Sequence, residues 1–306
     1  MKATRDAFGA ALLELGKENP NVVALTADLG ESVKTGEFAR AFPQRFFQMG
    51  IAEANMTDVA AGMATCGKIP FATTFAMFGT GRAWESVRNT VGYPHLNVKI
   101  ACTHSGLSVG EDGASHQMLE DVALMRVIPG MTVVVPCDYP SAFAATKAVA
   151  AWKGPVYLRL GRPAVKIVYE KECPFTIGKG NLLREGGDIA IVANGPLVAF
   201  ALEAADELAK QGIKASVADF HTVKPLDTEL LLALANKCKR IVTAEEHNVI
   251  GGLGGAVSEA LAKLRPTPVR FVGTQDTFGE SGKPADLWKK YGLDATGILK
   301  ACKELL

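Results

Sequence analysis

A chain of 306 residues that is 48% apolar can bury a sizeable core, enough for about two domains at roughly 150 residues each, and this excludes a disordered protein. Its 33 Lys and Arg against 32 Asp and Glu leave a net charge of +1; without a dense basic stripe or aromatic–basic interleaving, nucleic acid is not expected as a partner. Six cysteines lie far apart with no CxxC pair, so neither a zinc site nor a redox motif is expected, and reduced thiols in a cytoplasmic protein fit best.

The opening stretch MKATRDAFGAALLELGKENP has the spacing of an amphipathic helix, with charges where a secretion signal would be apolar. No later stretch reaches the length of a membrane span. Short β-branched runs then alternate with helical patterns. Strands are expected at 22–26, 69–75, 98–102, 131–136 and 155–160, with helices near 52–65, 82–91, 118–128 and 141–152. Such alternation implies a parallel sheet with crossover helices on both faces. From 166 to 187 the pattern lapses into charged, Gly- and Pro-containing sequence, expected as a linker. A second alternation follows, with strands at 188–193, 216–220, 240–244 and 269–272. The fold class expected is α/β: two consecutive doubly wound domains, 1–165 and 188–306, each with a mainly parallel sheet.

The stretch THSGLSVGEDGASHQ at 103–117 holds two of the five histidines, two acids and three glycines. It follows an expected strand, at the carboxyl end where open α/β sheets bind ligands. His104 and His116 flank the loop with Asp112 between them, and the glycines let backbone and imidazoles approach a small polar ligand. Either histidine alone is equally compatible with a helix cap or a satisfied core position. Their spacing fits no standard metal-ligand pattern. GLSVG at 106–110 matches the nucleophile elbow GxSxG with Ser108 as nucleophile. An elbow needs a helix directly after the serine, however, and Gly110, Glu111, Asp112 and Gly113 continue the loop.

Glu53 is the only acid in GIAEANM, where a helix is expected to begin. It is either a first-turn acid stabilised by the helix dipole or a carboxyl group that shares a proton with a ring nitrogen. Phe75 and Phe78 place two rings at a strand-to-helix junction, as core or as a cofactor platform. Arg5 and Arg159 are isolated cations near element ends, either phosphate clamps or ordinary surface residues. GGLGG at 251–255 precedes a helix but lacks the spacing of a phosphate-binding fingerprint, so tight packing is expected there.

Taken together, ADLGES (27–32), MGIAEANM (49–56), TTFAMF (73–78), the 103–117 loop and HTVKPLD (221–227) resemble the C-terminal half of transketolase, over essentially the whole chain. FGESG (278–282) resembles a segment of that family's appended C-terminal domain. The resemblance implies binding of thiamine diphosphate, with Glu53 on N1′ of the aminopyrimidine, Phe75 and Phe78 stacked on that ring and Asp28 near the thiazolium. It implies His116 and Asp112 as contacts to the donor's hydroxyls, and His104, Arg159, Arg5 and Ser32 as contacts to sugar phosphate. Two positions depart from the family: Ser105 stands where Asp is frequent, and Gly81 where a third aromatic is usual. Both bear on the choice of acceptor.

The family's GDG and Asn-Asn motifs, which hold the metal and diphosphate through oxygen ligands, occur nowhere in the sequence. The resemblance is therefore to the C-terminal subunit of a split transketolase. A separate N-terminal subunit would carry the diphosphate and Mg²⁺ or a similar divalent cation, in an assembly of two copies of each chain. The implied reaction, in the pentose phosphate pathway, moves a two-carbon ketol unit from a ketose phosphate to an aldose phosphate. Alternatives of related plan are a 2-oxoacid dehydrogenase β subunit, a deoxyxylulose-phosphate-synthase-like subunit, or a non-catalytic assembly or regulatory protein.

Overall fold

In the first sheet the order is Phe46–Gln48, Val22–Thr26, Ile69–Phe75, Lys99–Thr103, Val156–Arg159, Thr132–Val134, Thr222–Lys224. This computed structural model describes residues 1–170 and 173–306; Lys171 and Glu172, within the expected linker, lie outside the described residues. The first six strands pair in parallel. Val22–Thr26 and Lys99–Thr103 are buried at every residue, because crossover helices cover both faces of such a sheet and select near-continuous apolar runs. Strands 22–26 and 69–75 fall where the sequence places them, and 98–102 shifts by one residue.

The seventh strand comes from the other half of the chain. Thr222–Lys224, from HTVKPLD, pairs antiparallel with Thr132–Val134 and closes that edge, so residues 1–165 do not build the first sheet alone. The expected linker also carries structure: Asn181–Arg184 is the antiparallel edge of the second sheet, ordered Val269–Thr274, Ile241–Asn248, Ile189–Ala193, Ala215–Asp219, Asn181–Arg184. The two sheets share one apolar core, in which Val133 and Val135 cluster with Val192, Phe220 and Val223.

Two expected helices differ. The one over 82–91 is replaced by wide π-helical turns, Met77–Arg82 and Val87–Gly92, around a short α turn, Trp84–Ser86. Gly79 is what lets the first of these lie on the sheet, since a Cβ there would stand 2.5 Å from Cys102 Sγ. Widened turns of this kind concentrate at functional sites. The helix over 118–128 contracts to Asp121–Arg126, because Met118 and Leu119 use their carbonyls outside it, accepting from Gly106 N–H (3.0 Å) and Asn248 N–H (2.8 Å).

Candidate active site

Three neighbouring parallel strands, Val22–Thr26, Ile69–Phe75 and Lys99–Thr103, end together, and their carboxyl ends bring Asp28, Phe75 and His104 to one rim of the sheet. Four rings run from there in contact. His104 stacks on Phe75 at 3.7 Å between centroids, Phe75 on Phe78 at 6.0 Å and 16°, and Phe78 meets His116 edge-on at 5.5 Å.

Glu53 is the first residue of helix Glu53–Thr65 and is 2% exposed. Arg82 Nη1 donates to both of its carboxylate oxygens, at 3.3 and 3.1 Å, and the same guanidinium lies 4.9 Å from the Phe78 ring centre. Arg82 was not among the residues expected at the site; its signal in the sequence is that it carries the only charge between Ile69 and Arg82.

His104 has φ of 56°, is buried, and lies with Nδ1 2.7 Å from Thr103 Oγ1 and Nε2 3.4 Å from Arg5 Nη1. Burial, with Arg5 and Arg162 adding positive field, pushes its pKa down to about 3. The ring is thus neutral in ordinary buffers and accepts from Arg5 through Nε2. Arg5 also donates to the Ser32 carbonyl at 3.0 Å, and its Nε is buried without a partner among the described residues. Arg5, Ser32 and His104 therefore meet at one cationic corner. Asp28 is also at φ > 0; its N–H donates to Gln48 Oε1 at 2.7 Å, and it lines a groove of about 430 Å³ with Ser32.

Arg159, expected as a phosphate contact, lies in the interior. It is 4% exposed, and its guanidinium is committed to Asp121 (Nε to Oδ2 2.6 Å, Nη2 to Oδ1 3.1 Å) and to the Glu246 carbonyl at 2.9 Å. Nε and Nη2 are thereby taken, and Nη1, without a hydrogen-bond partner among the described residues, belongs to a side chain only 3% exposed, so the guanidinium offers little of itself to a phosphate. The cation at the mouth is Arg162, whose side chain is 35% exposed and stands 3.4 Å from Glu111 and 3.9 Å from Asp112. Asp112 is thereby joined to the corner that His104 and Arg5 form, while His116 lies at the other end of the ring line, with Nδ1 3.0 Å from Ser115 Oγ.

Two motifs resolve as packing. Ser108 is buried and gives its hydroxyl to Glu246 at 3.1 Å, so it is no nucleophile. In GGLGG, the N–H groups of Leu253 and Gly254 are taken by Glu245 at 2.7 and 2.8 Å, which leaves them no anion to bind.

A flat apolar platform with a buried carboxylate beside it fits an aminopyrimidine: stacking holds the ring, and the carboxyl group addresses a ring nitrogen. Among the described residues no group of three or more His, Cys, Asp or Glu could hold a metal ion, and no helix is long and apolar enough to cross a membrane.

The chain matches the transketolase pyrimidine-binding domain over residues 1–167 and the transketolase C-terminal domain over 178–298. It is 49% identical over 308 residues to a putative transketolase C-terminal section of Methanocaldococcus jannaschii, covering 99% of this chain and 96% of the relative. It is 46% identical over 302 residues to a 6-deoxy-6-sulfo-D-fructose transketolase subunit of a Clostridium species, covering 98% and 94%. A solved structure described as a split-gene transketolase, an inactive β4 tetramer, superposes with a TM-score of 0.93 at 53% identity, covering 99% and 98%.

Proposed function

The chain belongs to the transketolase family, and from that premise we propose that it is the C-terminal subunit of a cytoplasmic split transketolase. In this reading a separate N-terminal subunit holds the diphosphate of thiamine diphosphate and its divalent cation, and two copies of each chain assemble. The enzyme transfers a two-carbon ketol unit from a ketose phosphate to an aldose phosphate, as in the pentose phosphate pathway.

The observation that carries this is the continuous line from the buried Glu53 and the Phe75–Phe78 pair to the cationic corner of Arg5, His104 and Arg162. A proton-sharing carboxylate at one end and an anion-binding corner at the other suit a coenzyme ring and a charged sugar held side by side. The 53%-identical β4 tetramer is described as inactive, in keeping with a chain that needs a partner. The relative named for a sulfosugar supports a donor with an anionic end.

Thiamine diphosphate, when bound, supplies the nucleophilic carbon and the electron sink for the transferred unit. The chain's own residues do the rest. Phe75 and Phe78 orient the pyrimidine and keep water from it, and Glu53 holds a proton at N1′. His116 and Asp112 address the donor's hydroxyls. Arg5 and Arg162 neutralise its phosphate, while the neutral His104 donates or accepts without adding charge. Asp28 and Ser32 line the groove alongside.

Purified alone, the chain is expected to show no ketol transfer from xylulose 5-phosphate, and activity should appear on adding the N-terminal subunit. Full activity of the lone chain would refute the reading. Arg162→Ala in the assembled enzyme is expected to raise KM for phosphorylated ketoses about ten- to a hundredfold, the worth of losing hydrogen bonds to a charged group. Non-phosphorylated ketoses should hardly be affected. An equal effect on both would remove Arg162 from the phosphate, while unchanged values for Arg162→Ala with raised ones for Arg159→Lys would restore the other arginine.

A further inference from the structure

Strand Ile241–Asn248 of the second sheet ends in a run of buried polar residues, Glu245, Glu246 and His247. Glu245 turns back to cap its own domain's helix Leu253–Leu264. Glu246 instead faces the first domain. Its Oε1 accepts the Ser108 N–H at 2.7 Å and the Trp288 Nε1–H at 2.8 Å, and its Oε2 accepts the Ser108 hydroxyl at 3.1 Å.

The fit is close on the loop's side as well. Gly106, at φ of +77°, faces the carboxylate so nearly that a Cβ there would stand 2.5 Å from Glu246 Cδ. The far end of the loop is held to the second domain too, since Gln117 Nε2 donates to the Glu280 carbonyl at 2.9 Å and to Leu107 O at 3.0 Å.

This grip lies where a doubly wound sheet ordinarily binds its ligand. Ile189–Ala193 has Ala215–Asp219 on one side and Ile241–Asn248 on the other, so the crevice at its carboxyl end is the switch point of the second sheet. Gly195, just past that end, donates its N–H to Val135 O at 3.4 Å, so first-domain backbone fills the crevice. The second domain holds the first domain's loop in the position of a ligand.

We propose that Glu246 is a positioning residue for the donor sugar, fixing the first of the two 3₁₀ turns that Gly110 separates within Leu107–Asp112 and so setting where Asp112, His116 and Arg162 stand. The connection is short. Val109, the residue after Ser108, offers its carbonyl to Arg162, and Asp112 ends the second turn, just beyond the kink at Gly110. The inference rests on the functional reading above, and it gives the second domain a part in donor recognition.

The test uses the assembled two-chain enzyme for kinetics and the chain itself for amide exchange by mass spectrometry. Glu246→Ala is expected to raise donor KM on the order of tenfold, with kcat and the Kd for thiamine diphosphate changed by less than about threefold, and to speed exchange at 107–116. Glu246→Gln should return KM to within about twofold of wild type, because its carbonyl can accept from Ser108 and Trp288 while its amide donates to the Ser108 hydroxyl.

A merely structural role would lower Tm or the active fraction and leave KM alone; that outcome, or a KM rise that Gln does not rescue, overturns the proposal. Should Glu246→Ala fail to fold, Ser108→Ala replaces it, with a smaller KM rise and faster exchange over the same residues expected. Unchanged values there also overturn it. A wild-type assembly without ketol transfer would sink the functional reading and leave the exchange data to judge whether Glu246 holds the loop.

Discussion

Glu53→Gln in the assembled enzyme is expected to lower kcat by about 10²–10⁴-fold, the usual worth of a positioned proton-transfer group. The substitution keeps the shape and the buried packing of the side chain but cannot hold and return a proton. Glu53 is 2% exposed, at a helix N-terminus, and linked through the Arg82 guanidinium to the Phe78 ring.

The carboxylate is met by Arg82, whose own side chain is 55% exposed. Steady-state kinetics of the reconstituted enzyme, with circular dichroism to establish that the fold persists, measures the effect. A kcat within about threefold of wild type would take Glu53 out of the chemistry.

Arg159→Leu should act on stability and not on substrate. Asp121 is fully buried; burial pushes its carboxyl up, yet Arg159, His247 and Tyr157 hold it below its ordinary range. Removing the guanidinium strands that charge, and breaking one partner of a buried pair costs about 3–5 kcal/mol. At roughly 2–4 °C per kcal/mol for domains of this size, Tm should fall on the order of 10 °C. Replacing both Arg159 and Asp121 by leucine should recover part of the loss, since no orphan charge then remains.

Because Arg159 also bonds the Glu246 carbonyl, the loss would loosen the seam between the domains. Donor KM measured below the transition should therefore rise only about two- to threefold, and equally for phosphorylated and non-phosphorylated ketoses. A variant with normal Tm and a raised KM for phosphorylated sugars would put Arg159 back at the substrate.

Wherever the chemistry is written in neighbouring residues, the sequence suffices. Strands 22–26 and 69–75 are legible because a strand covered on both faces demands an unbroken apolar run, and the start of the Glu53 helix because apolar periodicity begins there. The two phenylalanines and the glycine-rich histidine loop are legible because both follow strand ends, where a parallel sheet opens to ligands.

Tertiary structure alone decided which of Arg159 and Arg162 is buried. They lie three residues apart in YLRLGRPA, and which one is buried depends on Asp121, 38 residues away. The same holds for Arg82 on Glu53, for Thr222–Lys224 completing a sheet begun in the other half of the chain, and for Glu246 under Ser108 at a separation of 138 residues. Local periodicity records which face of an element is apolar. It does not record which distant charge that face will meet, because ion pairs and edge strands are chosen by register and packing only after the elements have come together.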